Sequence, residues 1–448
     1  MSFFNKKEKS ILIYNPLSNI GHFDSWCLIF TRALLEKGWK VCVITNNIQK
    51  LNELSIQYTK TDSPQLKTLS GASIIRNNAY FRLCRSILKN LKIFEYLDQA
   101  KIDIDNTKLN KKVIFFARIN NFIIRKIEII LNKIFQPKLL ISAINPLYFV
   151  NDIYLATKAL GSVPDVVMNM YVDLYQTDIE IWEQFARKMT CNWVGIHMDM
   201  TNSLVTRPYF KSPHLKAIYT INETQSVSLV KEKEEIKYQW LPDVTDTSMP
   251  LKPSKIAAQI RERAMGRKIV FLGGAIGGTK NLSLWAELIF KADSSKWFFV
   301  QIGQIDFGTL SSEDQNGLNK LFSTQKDNYY FSDSYLPDES VFNEVISISD
   351  IIWGVYRDFD RSSNILTKAA EFKKPIIVSK KYLMGERVNK YKTGVLVSET
   401  EVTEVLAALE WLYTNSIATE HYENYSAVYS TSALAQKLDQ SLLSLIRS

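Results

Sequence analysis

The chain of 448 residues has only four cysteines (Cys27, Cys42, Cys84 and Cys191) and only four histidines. The cysteines fall at no spacing that suits a metal or a pairing framework. That excludes a disulfide scaffold and points to a reducing compartment. The histidines are as scattered, so no zinc site is expected. Long apolar runs are missing too: none approaches the ~20 residues that a spanning helix needs. The longest candidate, VIFFARINNFIIRKIEIIL, is broken by Arg118, Arg125, Lys126 and Glu128. The opening MSFFNKKEKS is short and polar, unlike a secretory leader. These absences together predict a soluble cytoplasmic protein with no zinc or His-rich metal site.

What the chain does contain is 46% hydrophobic and 12% aromatic residues, enough for well-filled cores. Its length suits two domains of roughly 200 residues each. The net charge of +9 is concentrated in one place. Between Arg76 and Lys138 there are fourteen Lys and Arg against five Asp and Glu, an excess equal to that of the whole chain. The region 71–138 reads as basic helices with aromatic positions. Such helices can lie on an anionic membrane surface, or be ordinary core helices with a solvated face. No nucleic-acid motif accompanies the charge, and no nucleic-acid partner is expected.

Along the chain, short apolar runs alternate with amphipathic helices. ILIYN, WKVCVITNN, KLLISAI, DVVMNMYV, NWVGIHMDM, KAIYTIN and YQWLPDV read as strands, with CLIFTRALLEKG, VNDIYLATKALG and DIEIWEQFARKM as helices between them. Repeated strand–helix units imply a doubly wound α/β domain with a parallel sheet. Four residues stand at strand ends or turns where site residues collect: His22, Asp173, His197 and Asp199. Each has an ordinary structural role as an equal alternative. The charged KEKEEIKYQWLPDV then gives way to Pro242, Pro250, Pro253 and Ser/Thr, a linker composition. The expected domains are 1–243, a linker at 244–264, and 265–448.

The second domain opens with RKIVFLGGAIGGTKNLSLWAELIFKA: strand, glycine turn, helix. Gly273 and Gly274 allow a ligand close to the backbone, and Lys280 falls near the helix start. The turn is neither a Walker loop nor a G-x-G-x-x-G fingerprint. The richest stretch is 349–379, SDIIWGVYRDFDRSSNILTKAAEFKKPIIVS. It reads as a buried strand, a polar loop, a helix from about Asn364 to Phe372, and a second strand. Ser362 and Ser363 stand where the helix begins, at the positive end of its dipole, an arrangement that binds phosphates. Arg357, Arg361 and Lys368 add charge. The same serines can equally be plain helix caps.

This stretch, with Tyr382-Leu383-Met384-Gly385-Glu386 and Gly394-Val395-Leu396-Val397 after it, resembles the donor-binding segment of GT-B glycosyltransferases, and most of all the retaining family 4. The resemblance is at residue level over about 265–400 and architectural elsewhere. It implies an α/β fold of the GT-B type, two doubly wound Rossmann-like domains facing across a cleft, the last helix packing back on the first domain. It also implies a metal-independent transfer from a nucleotide-diphosphate sugar, with no cofactor, to a glycan or lipid-linked acceptor. Lipid-linked acceptors would bring the enzyme to the inner face of a membrane. The donor would be held by Gly273, Gly274, Lys280, Arg357, Ser362, Ser363, Asn364, Lys368 and Glu371. The acceptor would meet His22, Asp173, His197 and Asp199. The family carries one glutamate in the loop and one in the helix, the second commonly on the ribose. Counting back from Pro375, those places hold Asp360 and Lys368, and Glu371 is the nearest acid on the helix. That departure leaves two alternatives open, a sugar-nucleotide epimerase and a non-catalytic binding protein on the same scaffold.

Overall fold

A computed structural model describes residues 8–16, 23–45, 48–49, 66–70, 144–175, 178–198, 208–223, 237–334, 336 and 338–446. The basic region 71–138, His22 and Asp199 lie outside the described residues. The chain forms two compact units. One comprises Met1–Thr220, Val227–Gln239 and Leu442–Ser448, the other Ile221–Ser226 and Trp240–Ser441.

The first unit is built on a seven-stranded sheet in the order β3-β2-β1-β4-β5-β6-β7. Its strands are β1 (Ser10–Tyr14), β2 (Lys40–Thr45), β3 (Leu66–Ser70), β4 (Val166–Asn169), β5 (Trp193–His197), β6 (Leu215–Thr220) and β7 (Lys237–Trp240). Every residue of β1, β4 and β5 is buried, as expected for strands covered on both faces. Helix α1 (Phe23–Glu36) carries the chain from β1 to β2. Helix α2 (Pro146–Leu160) starts at Asn145, whose side chain accepts from the Leu147 N–H, and stops at Gly161 with φ +63°. Helix α3 (Ile179–Lys188) is capped by Asp178, which accepts from the Glu180 and Ile181 N–H groups. Of the expected strands, KLLISAI lies outside the described residues except for Ile144, which bridges to Tyr175. Strand β3 is an addition that the apolar pattern did not announce.

The second unit holds a six-stranded, all-parallel sheet in the order β10-β9-β8-β11-β12-β13. The strands are β8 (Lys268–Gly273), β9 (Trp297–Ile302), β10 (Tyr329–Ser332), β11 (Ile351–Gly354), β12 (Ile376–Ser379) and β13 (Gly394–Val397). Helices α4 (Lys255–Ala264), α5 (Leu282–Lys291), α6 (Ser312–Thr324), α7 (Glu339–Ile348), α8 (Asn364–Glu371), α9 (Tyr382–Tyr391), α10 (Val402–Thr414), α11 (Thr419–Tyr429) and, as far as Ser441, α12 (Thr431–Ile446) complete it. The segment 244–264, expected as a linker, contains α4. That helix is capped by Ser254, whose own N–H donates to Glu344 of α7. Beneath the carboxyl ends of β8 and β11 the core is aromatic. Trp285 meets Phe299 and Trp353 edge-on, with centroids 5.4 and 5.0 Å apart.

Candidate active site

The six-stranded sheet reverses its winding at β8. From there the chain moves outward through β9 and β10, then returns to β11 on the other side before β12 and β13. The loops after β8 and β11 diverge at that point, and the carboxyl ends of such a strand pair are where open α/β sheets take ligands.

The loop after β8 turns at Gly274, whose φ of +95° suits glycine and few other residues. Gly303, at the end of β9 with φ +149°, lies so close that a Cβ there would collide with the Gly274 carbonyl oxygen. The Gly274 N–H donates to Ile302 at 3.1 Å, and the Ile276 N–H to Gln304 at 3.1 Å. The glycine turn is thus braced by the neighbouring loop. Gly273 itself closes β8 and is buried.

Lys280 follows this turn. Its ammonium stands 4.0 Å from the centre of the Tyr356 ring and donates to the Tyr356 hydroxyl at 2.5 Å. Among the described residues no carboxylate pairs with it. Its backbone is held on three sides. The Lys280 carbonyl accepts from the Trp353 indole at 3.1 Å. The preceding Thr279 carbonyl accepts from the Arg357 N–H at 2.9 Å. The following Asn281 is left-handed (φ 59°, ψ 55°) and buried, its amide donating to the Glu399 carbonyl at 2.7 Å.

Arg357 has a different fate. Its guanidinium forks onto Asp314 at 3.1 and 3.3 Å and also donates to Asn281 at 2.8 Å and Ser283 at 2.7 Å. The Asp314 side chain is fully buried. Burial alone would raise its pKa, but the Ser283 N–H, the Ser311 hydroxyl and Arg357 together hold it below the usual carboxylate range. Asp314 also closes the capping box of α6 with Ser311.

At the start of α8, Ser363 takes the N-cap position in extended backbone, yet its side chain makes no cap hydrogen bond. Asn364 is the first helical residue. The Ser362 hydroxyl is engaged elsewhere: it donates to Asp243 and accepts from Arg387 at 2.5 Å. Arg387 is buried, pairs with Glu223 at 2.7 Å and lies 4.6 Å from the centre of the Tyr429 ring. Glu223 is held below its ordinary pKa: burial pushes it up, and hydrogen bonds and charge from Arg387 outweigh that.

Two expected donor residues do not join this group. Lys368 points into the protein with its side chain 1% exposed, bonded to Glu339 at 2.7 Å, Asn343 at 2.5 Å and the Asp246 carbonyl at 2.8 Å. Burial lowers its pKa and Glu339 works against that. Glu371 is the last residue of α8. At a rise of 1.5 Å per residue it sits about 10 Å from the helix start. In the first unit, Asp173 accepts from the Met198 N–H at 3.3 Å, one residue beyond β5, and His197 ends β5 with no exposed surface, its ring 6.2 Å from that of Tyr209. The sequence reading missed Asn281, Asp314, Tyr356, Asp243 and Arg387. Only the adjacency of Asn281 to Lys280, and of Tyr356 to Arg357, could have signalled any of them.

No family model and no curated protein matches the sequence. Solved structures match along the whole chain. A glycosyltransferase from Rickettsia africae ESF-5 is 12% identical with a TM-score of 0.58, over 98% of this chain and 99% of that one. The sucrose-phosphate synthase of Thermosynechococcus elongatus is 11% identical with a TM-score of 0.56, over 98% and 100%. Anabaena HepE, in complex with UDP and glucose, is 10% identical with a TM-score of 0.57, again over 98% and 100%. The fold is GT-B. At such identities the likeness carries the architecture, and activity has to be argued from the site. The second GT-B sheet is the one whose carboxyl edge carries Lys280, the glycine turn and the start of α8.

Proposed function

We propose that the chain is a metal-independent glycosyltransferase, resembling family 4, that takes a sugar from a nucleotide-diphosphate donor bound by its second unit. The observation that carries this reading is Lys280, a cation without a carboxylate partner among the described residues, held over Tyr356 beside the Gly274 turn. Leaving of the nucleoside diphosphate builds negative charge on its terminal phosphate. Fixed donors aimed at that charge lower the barrier, each by about 3 kcal/mol. Lys280 supplies one, and the start of α8 at Ser363 and Asn364 a partial positive charge; the Gly273–Gly274 turn, whose Gly274 N–H is taken by Ile302, lets the ligand approach the backbone closely. Arg357, already neutralised by Asp314, organises these groups, and Ser362 ties the start of α8 to Asp243 and Arg387. Lys368 and Glu371 take structural positions in this scheme. The acceptor, a glycan or lipid-linked glycan, falls to the first unit, with Asp173, His197 and the undescribed His22 and Asp199 as candidates. The UDP and glucose held by HepE are a precedent for such a donor.

Calorimetry in EDTA tests the reading. UDP, ADP, GDP or dTDP is expected to bind without added divalent metal. Binding that disappears in EDTA removes the metal-independent scheme. Tight binding of a nucleotide sugar with neither transfer nor hydrolysis would leave a binding protein on the GT-B scaffold.

A further inference from the structure

Asp314 is a fully buried carboxylate on α6, an element that follows β9 rather than β8 or β11. Its two oxygens accept from the Arg357 fork, and one also accepts from the Ser283 N–H at 2.8 Å at the start of α5. Arg357 in turn reaches Asn281 and Ser283 through its side chain and Thr279 through its N–H. The residues on both sides of Lys280 are therefore held by one arginine, Thr279 by its backbone N–H and Asn281 by its guanidinium, and that guanidinium is gripped by one carboxylate. Asn281 closes the set: its backbone is left-handed, and its side-chain amide accepts from the Arg357 guanidinium and donates to the Glu399 carbonyl. Without the carboxylate, a cation beside the phosphate position would be released to find its own anion.

We propose that Asp314 is a positioning residue: acting through Arg357 and Asn281, it fixes the chain on which Lys280 is carried, and so the place of its ammonium, in the geometry that selects a diphosphate. The proposal rests on the reading of this edge as a sugar-nucleotide site. It makes diphosphate recognition dependent on a residue that touches no ligand, and it leaves Lys280 as the uncancelled cation of the pair.

The test compares affinity for a nucleoside diphosphate with affinity for the matching nucleoside, using whichever of UDP, ADP, GDP and dTDP the wild-type chain binds. Asp314→Asn keeps the volume and one acceptor while removing the charge that holds Arg357. Ser311→Ala weakens the same α6 cap without touching Arg357. The expected result is a loss of at least 10-fold in diphosphate affinity for Asp314→Asn with nucleoside affinity unchanged, and a wild-type ratio for Ser311→Ala. Should Asp314→Asn melt below the assay temperature, Asn281→Gly is read in its place. Glycine adopts the left-handed backbone without cost, so its effect reports the lost side-chain bonds alone. A wild-type ratio in the folded variant, or an equal loss in Ser311→Ala, overturns the positioning role while leaving the sugar-nucleotide reading intact. Failure of the wild-type chain to bind any of the four overturns both.

Discussion

Asp314 cancels the charge of Arg357 inside the protein, whereas the partner of Lys280 is a neutral phenol. Removing the two cations therefore has different consequences. Arg357→Ala strands a buried carboxylate and undoes the contacts to Asn281 and Ser283. A broken buried pair costs about 3–5 kcal/mol, and the 29% exposure of the Arg357 side chain places this one near 3 kcal/mol. Lys280→Ala leaves no carboxylate behind. Its denaturation midpoint should stay close to wild type while turnover falls 10-fold or more, from the ~1.5–3 kcal/mol of a charged hydrogen bond. Urea denaturation and single-turnover rates on the two variants separate these effects. Equal stability losses in both would overturn the division of labour. Lys368 belongs with Arg357 in this respect, since its charge is satisfied by Glu339, Asn343 and Asp246 rather than kept for a ligand.

At the scale of elements, the site depends on loops that brace one another. Gly303 ends a strand whose sequence, WFFVQIG, marks it only as buried, yet its φ of +149° and its contact with the Gly274 carbonyl make it part of the turn after β8. Gly303→Ala must either push that turn away or distort β9. A residue forced into sparsely populated backbone costs on the order of 1–3 kcal/mol. The expected outcome is a lower melting temperature together with weaker nucleoside diphosphate binding, measured by thermal shift with and without ligand. A variant that melts lower but keeps wild-type affinity would show that the two loops are not coupled. The start of α8 was legible from Ser362, Ser363 and the helical run after them. Which serine stands free was not: Ser363 keeps its hydroxyl out of the cap, and Ser362 is spent on Asp243 and Arg387.

For the whole molecule, the placing of its charge leads to one more prediction. The excess of nine positive charges between Arg76 and Lys138 equals the net charge of the chain and is interleaved with Phe115, Phe116, Phe122 and Phe135. Near an anionic bilayer each Lys or Arg contributes up to ~1 kcal/mol. Peripheral, salt-sensitive attachment through this region is expected, and sedimentation with anionic liposomes at two salt concentrations measures it. No binding at low salt would point to a soluble acceptor. Among the described residues no helix is long and apolar enough to cross a membrane.

The sequence by itself determined the α/β class, most of the strands, the glycine turn after β8 and the helix at 364, because strand burial, helix periodicity and turn chemistry are written in neighbouring residues. Two doubly wound units followed from repeating those signals along the chain. Only the tertiary structure decided which charges the site keeps. Arg357 finds Asp314 43 positions away, and Ser362 finds Asp243 119 positions away. Pairings at that range leave no periodic trace, since they arise only when separate crossovers bring their loops to one edge of a sheet. The strength of each charge there is set by what the fold puts beside it: a buried carboxylate for Arg357, a neutral phenol for Lys280, and Glu339 for Lys368.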